Sequence, residues 1–250
     1  MRKLATFICT LLAAMPLIAQ DVSYPELFGK DSTQKFPYSM TGQLIFTSGR
    51  SDFQGTGTTI YGRSVLTAAH NLWDAQTGWS TNVEFNRARY GRKIDSQVFA
   101  RRLFVYGGYA APTIRYGADS SRAFANDLGG LRFSSAPANG SFAGWSPDNT
   151  PLTGDAYNIA LGYGADTHSG DELLFVTPSL NFYQTRGAFF ENDSLTFEGG
   201  MSGGPVFAEV EPGEFRVVAV IVAGSDDPPS GGVRAINDGG ARFIRTYLQY

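Results

Sequence analysis

Hydrophobic residues in this chain come in short runs, and no long segment repeats them at helical spacing. The runs include GQLIFTSG from Gly42, NVEFNRARY from Asn82, SQVFARRLFVY from Ser96 and AYNIALGYG from Ala156. They alternate apolar and polar positions or stay apolar for four to eight residues, and glycine- and proline-containing turns separate them. PVFAEV and FRVVAVIVAG flank EPGE at Glu211–Glu214, a pattern that predicts a hairpin. Many short strands with turn punctuation predict an antiparallel barrel or sandwich. Two segments break the pattern. TAAHNLWDA predicts a helical turn or two after Thr67, and ARFIRTYLQY spaces Phe243, Ile244, Tyr247 and Leu248 for a short C-terminal helix. The polar stretch SSAPANGSFAGWSPDNTP, residues 134–151, reads as a linker between two β units.

The start of the chain reads differently. Arg2 and Lys3 precede an apolar stretch from Leu4 to Ile18, and Ala19 follows as a small residue. This is the order of an export signal, and the stretch is short for a membrane span. The expectation is a protein that is secreted or periplasmic and makes no membrane contact once the signal is removed. The formal net charge is −3, and loss of Arg2 and Lys3 makes the chain more acidic, which disfavours nucleic acid as a partner. Cys9 is the only cysteine and lies in the signal, so the mature chain has no disulfide, thiol nucleophile or cysteine zinc site. Asp226 and Asp227 are the one pair weighed for calcium. Two adjacent loop carboxylates ordinarily face water, and neither a metal nor another cofactor is expected.

The chemistry gathers at GGMSGGPVF, residues 199–207. A serine hydroxyl needs a base, a group that orients the base, and donors for the oxyanion. Gly200–Gly204 also fits G-x-S-x-G, the nucleophile elbow of α/β-hydrolases, but that fold places its histidine after the serine. Both histidines here, His70 and His168, precede Ser202. His168 in GADTHSGDE reads as a surface loop residue. The order Asp, His, Ser through His168 is that of subtilisins, whose α/β architecture the strand pattern does not support. His70 ends GTGTTIYGRSVLTAAH, where an apolar strand runs into small residues.

LTAAH and GGMSGGPV together resemble the histidine and serine motifs of chymotrypsin/trypsin-like serine proteases. NDLGGLRF, Asn126–Phe133, resembles their aspartate strand, and VVAVIVAGS, GGVRAI and ARFIRTYL resemble the strands and terminal helix that follow the serine. The resemblance spans roughly residues 40–249, and with a signal and no disulfides it lies nearest the bacterial branch of the glutamyl endopeptidases. It implies two six-stranded antiparallel β-barrels with the active site between them and a short C-terminal helix. The corresponding divisions are 1–19 (signal), 20–35 (an N-terminal segment or propeptide), 36–140 (first barrel) and 141–250 (second barrel with helix).

By the same resemblance the chain is a serine endopeptidase acting on protein or peptide substrates as a monomer. His70 is the base, Asp127 orients it, Ser202 attacks, and the N–H groups of Gly200 and Ser202 form the oxyanion hole. Asp95 and Asp119 are the lesser alternatives to Asp127. Thr196 or Phe197 falls near the floor of the primary pocket, with Val222, Ala223 and Gly224 on one wall and Gly232 on the other. The acidic floor of trypsin is missing, and so is the wall histidine of glutamyl endopeptidases, where Val222 stands. A neutral or apolar side chain is therefore expected in the pocket, with Arg234 as a possible attractor of acidic ones. The residue before the family's serine is often an Asp that pairs with a newly cut N-terminus; here it is Met201. Two other readings stay open: an inactive relative that binds peptides, and a secreted β-sandwich that binds carbohydrate through Trp73, Trp79, Tyr106, Tyr109 and Trp145.

Overall fold

A computed structural model describes residues 22–154, 156–176 and 181–249. The expected signal, with Cys9, lies outside them. The described chain opens with β1 (Glu26–Leu27) and a turn of helix, α1 (Lys30–Thr33). The first unit follows as β2 (Thr41–Ser48), β3 (Ser51–Tyr61), β4 (Ser64–Thr67), a short ladder of β5 (Trp73–Asp74) and β6 (Gly78–Trp79), then β7 (Thr81–Arg87), β8 (Ser96–Val105), the short helices α2 (Ala110–Tyr116) and α3 (Ser121–Phe124), and β9 (Gly129–Phe133). Six of these strands close into a barrel in the order β2-β3-β4-β9-β8-β7, every pair antiparallel. Alternation along the strands explains the closure. Leu44 and Phe46, Val65, Val83 and Phe85, and Leu131 and Phe133 meet inside with Leu72.

The second unit contains β10 (Asn158–Gly162), β11 (Leu174–Val176), β12 (Tyr183–Arg186), β13 (Phe189–Asn192), β14 (Pro205–Glu211), β15 (Glu214–Asp226), β16 (Pro229–Ala235) and the helix α4 (Asp238–Tyr247). Here the expectation of a second closed six-stranded barrel is not met. Among the described residues these strands form an open eight-stranded sheet, β1-β11-β10-β14-β15-β16-β13-β12. The difference has two sources. The N-terminal segment supplies β1 as an added edge on β11, and no ladder joins β1 to β12 across the opening. The EPGE hairpin forms as expected: Glu211 pairs with Glu214, and Gly213 takes a positive φ of 78° at the turn.

Segments outside the two units fasten them together. The stretch 134–151 is held at both sides rather than hanging free. Ala143 N–H donates to Thr59 O of the barrel, while Ser146 and Gly144 exchange backbone bonds with Val217 of the sheet. Helix α4 starts on an Asn237 cap, whose Oδ1 accepts from Gly240 N–H at 3.0 Å. It buries Phe243 and Ile244, and just past it Leu248, in a core shared by Ile60, Leu66 and Leu128 of the first unit and Leu161, Phe207 and Val220 of the second. Ser64 Oγ then donates to Leu248 O. Four of the five aromatics of the carbohydrate reading are spent on separate packing, and Trp79 is exposed: Trp73 meets Tyr109 edge-on, Tyr106 lies against Phe243, and Trp145 N–H reaches Tyr61 Oη.

Leu248 is fully buried in that shared core. Leu248→Ala should therefore destabilise the protein by about 2–5 kcal/mol, the range for emptying a packed leucine site. Urea unfolding measures this, and a loss under about 0.5 kcal/mol, the scale of surface changes, would show that the C-terminus is not a structural strap.

Candidate active site

Strand β4 delivers His70. Its apolar residues enter the barrel wall, Ala68 and Ala69 stay buried, and the chain then turns through a single 3₁₀ turn, Ala69–Asn71. Asp127 waits just before β9, the strand that pairs with β4. His70 donates its backbone N–H to Asp127 Oδ1 at 3.0 Å, and its Nδ1 lies 2.6 Å from Oδ2. The carboxylate is 1 % exposed and the imidazole 30 %, so one ring nitrogen is engaged in the interior while the ring reaches the surface of a cleft. Burial alone pulls the His70 pKa down. The charge and hydrogen bond of Asp127 outweigh this, with a contribution from Asp119, and hold it above the ordinary value. Of the two lesser candidates, Asp95 is instead paired with Arg87, and Asp119 lines the cleft.

Ser202 opens into the same cleft, in the loop that leads to β14. Its carbonyl accepts from Thr56 N–H at 2.8 Å and Asn71 Nδ2 at 2.9 Å, both on the barrel. The next residue donates its N–H to Ile221 O of the sheet at 2.7 Å. The serine is thus pinned between the two units, and Gly203 shows how closely. Its φ is +85°, and a Cβ there would lie 2.1 Å from Thr67 Oγ1 and 2.3 Å from Thr56 O.

The four residues before Ser202 form a turn closed by Met201 N–H to Glu198 O at 3.0 Å. Gly200, third in the turn, has φ +93°, the conformation a type II turn requires there. Its carbonyl is fixed by Thr56 Oγ1 at 2.8 Å. Neither Gly200 N–H nor Ser202 N–H donates to any described residue, so two amides on either side of Met201 are unclaimed. The loop 165–168 grips the turn from outside. Ala165 N–H donates to Gly199 O, Gly199 N–H to Asp166 Oδ2 at 2.5 Å, and Thr167 N–H to Glu198 Oε2. His168 Nδ1 sits 2.6 Å from Glu198 Oε1. The expectation of His168 as a plain surface residue is therefore corrected: it is half-buried and paired. Burial raises the Glu198 pKa, but the hydrogen bonds from Thr167 and His168 prevail and bring it below the usual carboxylate value.

The cleft has a volume of about 590 Å³. Phe197, Val222, Ala223 and Gly224 line it, whereas Thr196 and Gly232 do not. Thr196 is buried behind the wall, where its Oγ1 donates to Asp226 Oδ1 at 2.8 Å, and Gly232 packs on Phe189. Arg234 does not reach the cleft. Five carboxylates do: Asp119, Asp166, Glu191, Glu198 and Asp226. Among the described residues no group of three or more His, Cys, Asp or Glu side chains is placed to hold a metal ion.

Residues 55–220, which contain His70, Asp127 and Ser202, match the trypsin-like peptidase domain. The chain belongs to the trypsin-like peptidase family. No curated protein matches it by sequence. Among solved structures, a Glu endopeptidase in complex with MPD superposes with a TM-score of 0.70 at 18 % identity, over 92 % of this chain and 97 % of that one. The protease Anisep from Arthrobacter nicotinovorans gives 0.65 at 17 %, over 85 % and 96 %. A thermostable serine protease, AL20, from an extremophilic microorganism gives 0.66 at 18 %, over 88 % and the whole of that chain. At these identities the structures attest the fold.

Sequence reasoning missed the cleft carboxylates of this trypsin-like peptidase. They come from five separate segments and share no motif. Two of the five stand out in the sequence, Asp119 as an alternative to Asp127 and Asp226 as a calcium candidate, but neither for the cleft lining.

The His70–Asp127 pair carries a pH prediction. Because the fold favours the protonated ring, the pair's contribution to stability is complete at low pH and disappears as pH rises through the raised His70 pKa. The His70 imidazole, followed by NMR, should titrate above the ordinary value of about 6.5. In Asp127→Asn, burial is opposed only by the smaller contribution of Asp119, and the midpoint should fall below that value. An unchanged midpoint in the variant would mean that Asp127 does not set the protonation of His70.

Proposed function

We propose that the protein is a serine endopeptidase that cleaves peptide bonds through an acyl-enzyme. The observation that carries the reading is His70: Nδ1 is held by buried Asp127 while the ring shares a cleft with Ser202. Neutral His70 takes the Ser202 proton as Oγ attacks the carbonyl carbon, then gives it to the leaving amine. Asp127 keeps the ring in the tautomer with its proton on Nδ1 and stabilises the imidazolium. The unclaimed N–H groups of Gly200 and Ser202 receive the oxyanion, each contributing about 2.7–4 kcal/mol to the transition state by analogy with a known donor. Water then repeats the sequence on the acyl-enzyme. The basic start and apolar stretch support export to the periplasm or beyond.

The same cleft supports a substrate class other than the neutral one the sequence suggested. Five carboxylates line it and no lysine or arginine does, so an acidic side chain meets repulsion there and a cationic one attraction. Asp226, oriented by Thr196 beside Phe197 and Gly224, is the carboxylate best placed to meet a Lys or Arg side chain. The name of one structural neighbour, a Glu endopeptidase, does not carry over to this specificity, because Arg234 stays out of the cleft.

A fluorophosphonate should label wild type at one serine and leave Ser202→Ala and His70→Ala unlabelled, with folded circular dichroism spectra in all three. Hydrolysis should fall by about 10⁴-fold or more in each variant, and the double variant should be hardly worse. A folded Ser202→Ala protein with near wild-type hydrolysis would end the assignment. Peptides with Lys or Arg before the cut should be preferred to Glu, and Asp226→Asn should reduce kcat/KM for them by about tenfold, the loss of one ionic contact. A preference for Glu, or indifference to Asp226→Asn, would overturn the substrate class alone.

A further inference from the structure

A second cavity, of about 440 Å³, shares no lining residue with the Ser202 cleft. Its polar lining is Tyr106, Arg122, Asn126, Arg186, Arg234 and Asn237, and the remaining residues are uncharged. Three guanidinium groups and no carboxylate therefore face one space in a chain of net charge −3. None of the three has a carboxylate within salt-bridge distance among the described residues.

Arg234, on β16, is the unusual member. It is 1 % exposed, yet of its donors only Nη1 has a partner, Ala235 O at 2.7 Å. Nε is buried with no acceptor, and Nη2 donates to no described residue. The guanidinium lies over the Tyr106 ring, with Cζ 5.1 Å from its centroid, a cation–π contact that supplies no acceptor for Nε or Nη2. Burial pushes its pKa down to about 10, so it remains charged at neutral pH. Asp127 is the carboxylate whose charge bears on it, and that carboxylate is already held by His70. A buried cation without a counter-ion is costly.

The first turn of α4 adds to the positive field. A Cβ on Gly240 would lie 2.4 Å from Arg234 Nη1, so the guanidinium rests against the N-terminal turn of a ten-residue helix. Asp238, in that turn, is not among the residues lining the cavity. Arg122 is stacked on Tyr116 at 4.0 Å, again by its face, and Arg186 is exposed at the end of β12.

We propose that this cavity is a binding site for a phosphate-class oxyanion. Guanidinium forks match the oxygen spacing of such a group, and a helix N-terminus favours its charge. The volume exceeds what a bare ion needs and falls in the range of small-molecule pockets, so a small phosphate ester fits as well as the free ion. The site is independent of the protease reading and holds whether or not Ser202 is a nucleophile.

The test titrates the purified protein with inorganic phosphate, with glycerol 3-phosphate, and with sodium chloride at matched ionic strength, by calorimetry and thermal shift. Phosphate should bind saturably at one site and raise Tm, and chloride should do neither. Arg122→Gln and Arg186→Gln, both at exposed side chains that leave the core intact, should each weaken binding about tenfold, the worth of one charge-assisted contact. Tighter binding of glycerol 3-phosphate identifies an ester as the occupant, and tighter binding of phosphate identifies the free ion. An equal effect of chloride, no saturable binding at 10 mM phosphate (roughly the weak end of a specific site), or unchanged affinity in the Arg122→Gln/Arg186→Gln double variant would overturn the proposal.

Discussion

The site depends on how tightly the backbone around Ser202 is pressed between the barrel and the sheet. Thr56 and Asn71 hold the Ser202 carbonyl from one side, and Ile221 takes the next N–H from the other. Thr67 and Thr56 fill the space where a side chain at residue 203 would lie. No residue with a Cβ fits there, and the positive φ compounds the exclusion. The serine is therefore positioned by contacts to its own and its neighbour's backbone. Its hydroxyl makes no hydrogen bond to any described residue, while its location is over-determined.

Two electrostatic environments follow from this frame. Around Ser202 the lining is carboxylate-rich, and His70 is its one basic side chain. On the separate face beside α4 the lining is guanidinium-rich and carries no acid. Asp127 lines neither space but acts on both, since it orders His70 through two hydrogen bonds and its charge also reaches buried Arg234.

Much of this was legible in the sequence because it is local. LTAAH places a histidine at the end of a barrel strand, NDLGGLRF sets an aspartate before the strand that pairs with it, and the glycines around Ser202 announce a backbone that side chains cannot share. The EPGE hairpin and the terminal helix rest on turn chemistry and spacing within a dozen residues. What escaped is non-local. The closure of the second unit depends on which strands meet across the sheet, and the N-terminal segment took an edge that no periodicity predicts. His168 looked isolated because its partner, Glu198, lies 30 residues on. The five cleft carboxylates and the three cavity arginines converge only after folding.

At Met201 local sequence and non-local packing meet. The acid usual at this position gains its meaning from an ion pair with a chain terminus. Met201 is instead fully buried in the apolar core of the sheet, where an unpaired carboxylate would be costly. The turn must then be held by other means, and two are present. From inside, Met201 packs against Gly162 with no room for even a Cβ there. From outside, Ala165, Asp166, Thr167 and His168 tie down Glu198 and Gly199 through backbone and side-chain bonds. The N-terminal segment contributes at a distance, pairing Ser23 with Ser194 and Thr196 two residues before Glu198. An ion pair to a freed terminus switches a turn on after cleavage, whereas apolar packing and a loop already in place hold it from the moment the chain folds. Orientation of the Gly200 and Ser202 amides is then a property of the folded sheet and the 165–168 loop.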